Sequence, residues 1–330
     1  MNNEADAQVA IGDLQVPPLG VGTWAIGGDW DFNGRPAGWG AVDDTESIAA
    51  LRTAYESGVR LIDTADVYGC GHSERVVGQA VAPFRDDVVL ATKVGLVFDE
   101  DTRTGAGVDL SPAYIRRACE ASLRRLGVDH IDLYQIHPGE ADAALAESAV
   151  ATFDELVAEG KIRAYGTSAT GSVFIDAIAA GRHGVAVQQE LNVFGADEEA
   201  LAACERHDLA VLVRSPLAMG LLSGRYTSPE QLPAGDVRRN TPWNTWFDAQ
   251  HMPEWLARID AVRELLTSDG RTLVQGALGY VWARSARAVV LPGVRTVAQA
   301  KEQAGALAFG PLDTATAADI DARLRAPSSA

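Results

Sequence analysis

A chain of 330 residues with 47% hydrophobic and 22% charged side chains is long enough for a substantial core and has the composition of a globular protein. Its formal net charge of −17 argues against nucleic acid or an anionic membrane as a general partner. No apolar run approaches a membrane span, the N-terminal stretch is acidic without a signal-peptide core, and Cys70, Cys119 and Cys204 are widely spaced without a C-x-x-C pair. These features fit a cytoplasmic protein with reduced thiols, and the scattered histidines give no reason to expect a metal.

In chain order, VAIGDLQV reads as a hairpin about Gly12-Asp13. GVGTWA then raises the question of a dinucleotide turn. Gly20, Gly22 and Ala25 satisfy G-x-G-x-x-G/A, and Asp43 and Asp44 stand near the acidic position expected about 20 residues on. That fingerprint works only where the turn opens directly into a helix whose amides hold a pyrophosphate. The IGGDWDFNGRPAGWG that follows is rich in glycine and broken by Pro36, so it reads as loop, and a dinucleotide must bind elsewhere.

From there strand and helix alternate. LGVGTWAI reads as a strand, and a helix capped by Asp44 runs to residue 59. RLIDTAD is a strand with a helix over 73–81. DVVLATKV is a strand, followed by a glycine-rich loop and a helix opened by Ser111-Pro112. HIDLYQIH precedes a helix over 145–159 that Gly160 stops. IRAYGTSA, VAVQQELNV, LAVLVRSPL and AVVLPG are the remaining strands, with helices near 173–180, 198–207, one long stretch over 254–284, and 297–307. Eight βα units with continuously apolar strands imply a parallel sheet covered by helices. The fold class is α/β: a (β/α)8 TIM barrel with an N-terminal β-hairpin plugging its bottom and extra C-terminal helices, as one domain over residues 1–330. An open doubly wound sheet is the alternative.

In a barrel, reactive groups sit at the C-terminal strand ends. Asp63 ends strand two with Tyr68 just beyond it, Lys93 ends strand three and His137 ends strand four. Any one of them alone would pass as structural. Together, an ammonium held by a carboxylate would lower the pKa of a nearby phenol and let it act as an acid, while an imidazole orients the same oxygen. Such a group supplies a proton but no electrons, so a reduction needs a cofactor hydride.

LIDTADVYGCGHSERVVG, ATKVG, DLYQIH, GKIRAYGTS and SPLAMGLLSG resemble the aldo-keto reductase family, and the opening LGVGTWAIGGDW is similar to the branch containing bacterial reductases and potassium-channel β subunits. The resemblance implies an NADPH-dependent carbonyl reductase without metal, acting on a small aldehyde or ketone, with Asp63, Tyr68, Lys93 and His137 as the catalytic tetrad and Tyr68 as general acid. Because relatives in that branch are cofactor-sensing subunits, the alternative is an NADP(H)-binding regulatory or scaffold subunit. The resemblance assigns cofactor contacts to Gly22, Thr23, Trp24 and Asp63, to Ser168 and Gln189, to Arg214, Ser215, Pro216, Leu217, Gly220 and Leu222, and to Gly293, Arg295, Gln299, Glu302 and Gln303. Arg295 suits a 2′-phosphate.

The chain departs from the family in three places. Arg214 stands for an aromatic that stacks on nicotinamide, and its charge would favour the reduced cofactor. Ser168-Ala169 stands for Ser-Asn, and Gln303 for Asn. Trp24, Trp30, Tyr68, His137, Trp243 and Trp246 are the substrate-side candidates, which with Trp39 and Phe247 suggest an aromatic platform for a keto-sugar or polyol. Arg238 and Arg239 read as solvated surface charges, with binding of a charged substrate as the alternative. The oligomeric state is left open.

Overall fold

The apolar strand runs lie side by side in chain order as β1 (Val21–Gly22), β2 (Leu61–Asp63), β3 (Val89–Val94), β4 (Ile131–Ile136), β5 (Ile162–Thr167), β6 (Gly184–Asn192), β7 (Ala210–Arg214) and β8 (Ala288–Val290), each parallel to its neighbours. The computed structural model describes residues 7–138, 142–169, 171–239, 241 and 245–325. Parallel bridges Leu19–Val290 and Gly22–Gly293 join the two edges, so the sheet is a (β/α)8 barrel and not an open doubly wound sheet. Around it run α1 (Asp44–Glu56), α2 (His72–Val81), α3 (Pro112–Leu126), α4 (Ala143–Ala158), α5 (Ser172–Ala180), α6 (Glu198–Arg206), α7 (Met252–Leu266), α8 (Leu273–Arg284), α9 (Val297–Ala304) and α10 (Thr314–Arg325).

Closure explains the G-x-G pattern. A Cβ at Gly20 would lie 2.6 Å from the Leu291 side chain and 2.9 Å from the Leu61 carbonyl oxygen, on the strands flanking β1. The glycine lets β1 wedge between β2 and β8; no α-helix opens directly after it. The expected long first strand is only Val21–Gly22, because Trp24–Ile26 turns into a 3₁₀ segment.

Alternation along each strand sorts side chains into two layers. Leu61, Val89, Ala91, Leu133, Ala164, Ala186, Ala210, Leu212, Val289 and Leu291 fill the barrel interior, and Val9, Ile11 and Val16 of the N-terminal hairpin pack against them from below. Ile62, Leu90, Tyr134, Tyr165, Val187 and Val211 point outward into the helix layer.

Several elements differ from expectation. Asp43, not Asp44, caps α1, accepting from the Thr45 and Glu46 amides; Ser111 caps α3 as expected, with Pro112 at its first position. The stretch read as one helix over 254–284 is two. Asp269 and Gly270 take positive φ (58° and 81°), and Thr272 starts α8 in a capping box with Gln275. The glycine-rich loop after β3 is a hairpin, Leu96–Asp99 with Thr104–Val108, whose second strand pairs with Asp31–Phe32 of the first loop.

The α7–α8 turn is tight enough to invert a helix rule. Alanine normally exceeds glycine in a helix interior by about 1 kcal/mol. At Gly276 of α8, however, a Cβ would lie 1.7 Å from the Leu266 carbonyl oxygen of α7. Gly276→Ala should therefore destabilise the chain by about 2 kcal/mol, read as a lower urea midpoint; a variant at least as stable would show that the two helices do not meet this closely.

Candidate active site

The parity that builds the apolar interior also builds the site, because the last inward position of each strand opens on the mouth. Leu61 is followed on that face by Asp63, Ala91 by Lys93, Leu133 by Gln135, Ala186 by Gln188 and Glu190, and Leu212 by Arg214. Lys93 has no exposed surface. Its Nζ donates to Asp63 Oδ2 at 2.6 Å, to the Thr64 carbonyl at 2.8 Å and to Tyr68 Oη at 3.4 Å. Asp63 Oδ1 accepts from Gln135 Nε2 at 3.0 Å and from Gln188 Nε2 at 2.9 Å. A third link holds the loop beyond β2, since Ser73 Oγ bonds Thr23 Oγ1 and Thr64 Oγ1 at 2.9 Å each. Tyr68 stands between Trp24, whose ring stacks at 6.0 Å between centroids, and His137, whose ring meets it edge-on at 5.6 Å.

Burial works against the Lys93 ammonium, but Asp63 and Tyr68 more than restore it, and the amine titrates above the usual lysine range. Enclosure raises the Tyr68 phenol; Lys93 pulls the other way without cancelling it. The expected lowering is therefore reversed in the free protein, and the phenol keeps its proton. His137 is driven well below the usual imidazole value by burial and then by the charges of Lys93 and Arg214, so it is neutral near pH 7. Among the described residues its Nδ1 is buried without a partner, which leaves Nε2 as the nitrogen for the mouth.

A cavity of about 1280 Å³ opens over this group. Gly22, Thr23, Trp24, Asp63, Tyr68, His137, Ser168, Arg214, Ser215, Pro216, Leu217, Gly220, Gly293, Arg295, Gln299, Glu302 and Gln303 line it, as do Trp30 and Trp246; Lys93 lies beneath Tyr68. Two expected contacts are absent from that lining. Gln189 shares the outward parity of Val187 and Leu191 and is fully buried, whereas Gln188 faces the mouth. Leu222 is fully buried in the core, its amide bonded to the Leu217 carbonyl. Trp243 lies outside the described residues.

Other lining side chains are already engaged. Arg295 donates to the carbonyls of Trp39 at 3.1 Å and Ala41 at 2.6 Å, and Gln299 Oε1 caps α9 by accepting from the Arg295 and Thr296 amides. Arg238 is not a solvated surface charge. It is buried, paired with Asp236 through Nε (2.9 Å) and Nη2 (2.7 Å), and lies over the rings of Trp39, Tyr226 and Phe247. Arg239 is exposed, as expected. The sequence reading missed Gln135, Gln188 and Glu190; only strand parity singles them out.

A profile described as the Aldo/keto reductase family matches residues 18–325. The chain belongs to that family. Among curated relatives, this aldo-keto reductase is 32% identical over 309 residues to the NADH-specific methylglyoxal reductase of Escherichia coli, covering 89% of this chain and 91% of that protein. Among solved structures, it resembles the glycerol dehydrogenase of Gluconobacter oxydans (31% identity, TM-score 0.81, 98% of this chain and 96% of that one). It also resembles an aldo-keto reductase of Klebsiella pneumoniae in complex with NADPH (27% identity, TM-score 0.70, 97% and 96%).

Between Asp63 and Tyr68 in the chain the aldo-keto reductase carries a buried carboxyl. Asp66 is fully buried, and among the described residues no side chain donates to either carboxyl oxygen, the Val67 amide being the nearby backbone donor. Burial and then the Glu74 charge raise it well above the usual carboxylate range, against the pull of Arg125. A raised acid keeps in the folded state a proton that the unfolded chain releases above about pH 4, so it costs stability from there upward. Asp66→Asn cannot ionise. It should match wild type in stability below about pH 4 and exceed it by a margin that widens as pH rises, measured by urea unfolding across that range; a constant or inverted margin would contradict this.

Proposed function

We propose that this aldo-keto reductase is an NADPH-dependent carbonyl reductase in which Tyr68 delivers the proton. The observation that carries the reading is the contact chain Asp63–Lys93–Tyr68, with His137 beside the phenol at the foot of the large cavity.

The residues present suit a nicotinamide dinucleotide. Ser215, Ala218, Met219 and Gly220 take positive φ in the segment after β7, a backbone form that makes concave anion sites. Gln303 keeps a buried acceptor, Oε1, without a partner in the cavity wall, and a Cβ at Gly293 would meet nothing within 4 Å. Gln188 replaces Gln189 as the amide available to the nicotinamide end. The Klebsiella relative in complex with NADPH supports that choice of cofactor. When bound, the cofactor supplies the hydride.

The chain's own residues do the rest. Tyr68 donates its hydroxyl proton to the carbonyl oxygen as negative charge builds there. Lys93, kept cationic by Asp63, stabilises the phenolate that results. Neutral His137 offers Nε2 to the same oxygen and orients it. Gln135 and Gln188 hold Asp63 so that its second oxygen stays on Lys93. Trp24, Trp30 and Trp246 form the aromatic wall, which suits a small hydroxylated carbonyl such as a keto-sugar. The intact proton-donor chain favours turnover over a purely regulatory role.

Tyr68→Phe should lower carbonyl-dependent NADPH oxidation at 340 nm by about 10²- to 10⁴-fold while leaving NADPH affinity near wild type. Retained turnover would remove Tyr68 as the donor. For Arg295→Ala, loss of NADPH affinity with NADH affinity unchanged would place the 2′-phosphate at Arg295. Equal loss for both nucleotides would make its ties to Trp39 and Ala41 its main role.

A further inference from the structure

Among the charged side chains that line the mouth outside the proton-donor chain, two stand on the barrel strands themselves. Glu190 on β6 and Arg214 at the end of β7 are register partners on adjacent parallel strands, and both line the cavity. Arg214 Nη1 donates to Glu190 Oε2 at 3.3 Å, with the two side chains 42% and 39% exposed. Arg214 shares the cavity wall with Tyr68 and His137, and its charge opposes the burial that raises the Tyr68 phenol and adds to the burial that lowers His137. Lys93 is balanced by Asp63, and Arg214 by Glu190.

A hydride reaches a carbonyl carbon only at contact distance. If the carbonyl oxygen is held at Tyr68 and His137, as the reductase reading above requires, the nicotinamide ring lies beside them and within the field of Arg214. That ring is neutral when reduced and carries a positive charge when oxidised. We propose that the Arg214–Glu190 pair sets the relative affinity of the mouth for oxidised and reduced cofactor, and so biases the direction of the reaction. Arg214 disfavours the oxidised ring, and Glu190 offsets that repulsion. Removing either partner should therefore move the balance in opposite senses, which loss of packing alone would not do.

The test is the ratio Kd(NADP⁺)/Kd(NADPH), obtained by fluorescence titration at low ionic strength, with 2′,5′-ADP as a control lacking the nicotinamide. Glu190→Gln should raise the ratio about three- to tenfold, and Arg214→Gln should lower it by a similar factor. The double variant should return near the wild-type ratio, Arg214→Lys should keep it, and added salt should shrink every shift. Affinity for 2′,5′-ADP should stay constant, which also reports that each variant is folded. Shifts in the same sense, or none, would overturn the proposal while leaving the reductase reading in place. Failure of wild type to bind either nucleotide would overturn that reading, and this inference with it.

Discussion

An ammonium with no exposed surface is the constraint on which this site depends. Taking Lys93 out of water is tolerable only if its three N–H donors all find acceptors, and they do: the Asp63 carboxylate, the Thr64 carbonyl and the Tyr68 hydroxyl. The carboxylate faces the same demand, and its other oxygen is met by two glutamine amides from β4 and β6. Tyr68 is therefore both the outlet of the network and part of what satisfies it. The loop that carries the phenol is fixed by the needs of a charge on another strand.

Strand parity lets one barrel be apolar below and charged above. The inward face carries leucine, valine and alanine low in the barrel, then Asp63, Lys93, Gln135 and Arg214 at or next to their strand ends and Gln188 and Glu190 on the second half of β6. The hairpin residues Val9, Ile11 and Val16 close the bottom, so the mouth is the end left open for chemistry. The low-dielectric floor strengthens the Asp63–Lys93 attraction and keeps His137 neutral beside two cationic side chains.

Much of this was legible in the sequence because it is written locally. Each strand is a short apolar run, and the acid, phenol, amine and imidazole stand at or just past strand ends that periodicity locates. What was missed depends on partners far along the chain. Both faces of a parallel strand are buried, so VAVQQELNV does not say which glutamine looks inward; the packing of Ala186 and Val187 on opposite sides decides for Gln188. Arg238 sits in a loop of solvent-like composition and is buried only because Trp39, Tyr226 and Phe247 come round it. The hairpin Leu96–Val108 takes its order partly from Asp31–Phe32, some seventy residues earlier. The break between α7 and α8 did carry a signal, Asp269-Gly270 followed by Thr272 and Gln275, which the continuing apolar period masked.

If the buried Asp63–Lys93 pair serves chemistry at the expense of stability, removing both partners together should cost the fold little. The direct test compares the unfolding free energy and carbonyl turnover of Asp63→Asn, Lys93→Met and the double variant. Each single variant should lose about 3–5 kcal/mol by leaving a partner unmatched, and the double variant should match or exceed wild-type stability while turnover stays absent in all three. A double variant that turned over like wild type would contradict the account, as would single variants of wild-type stability.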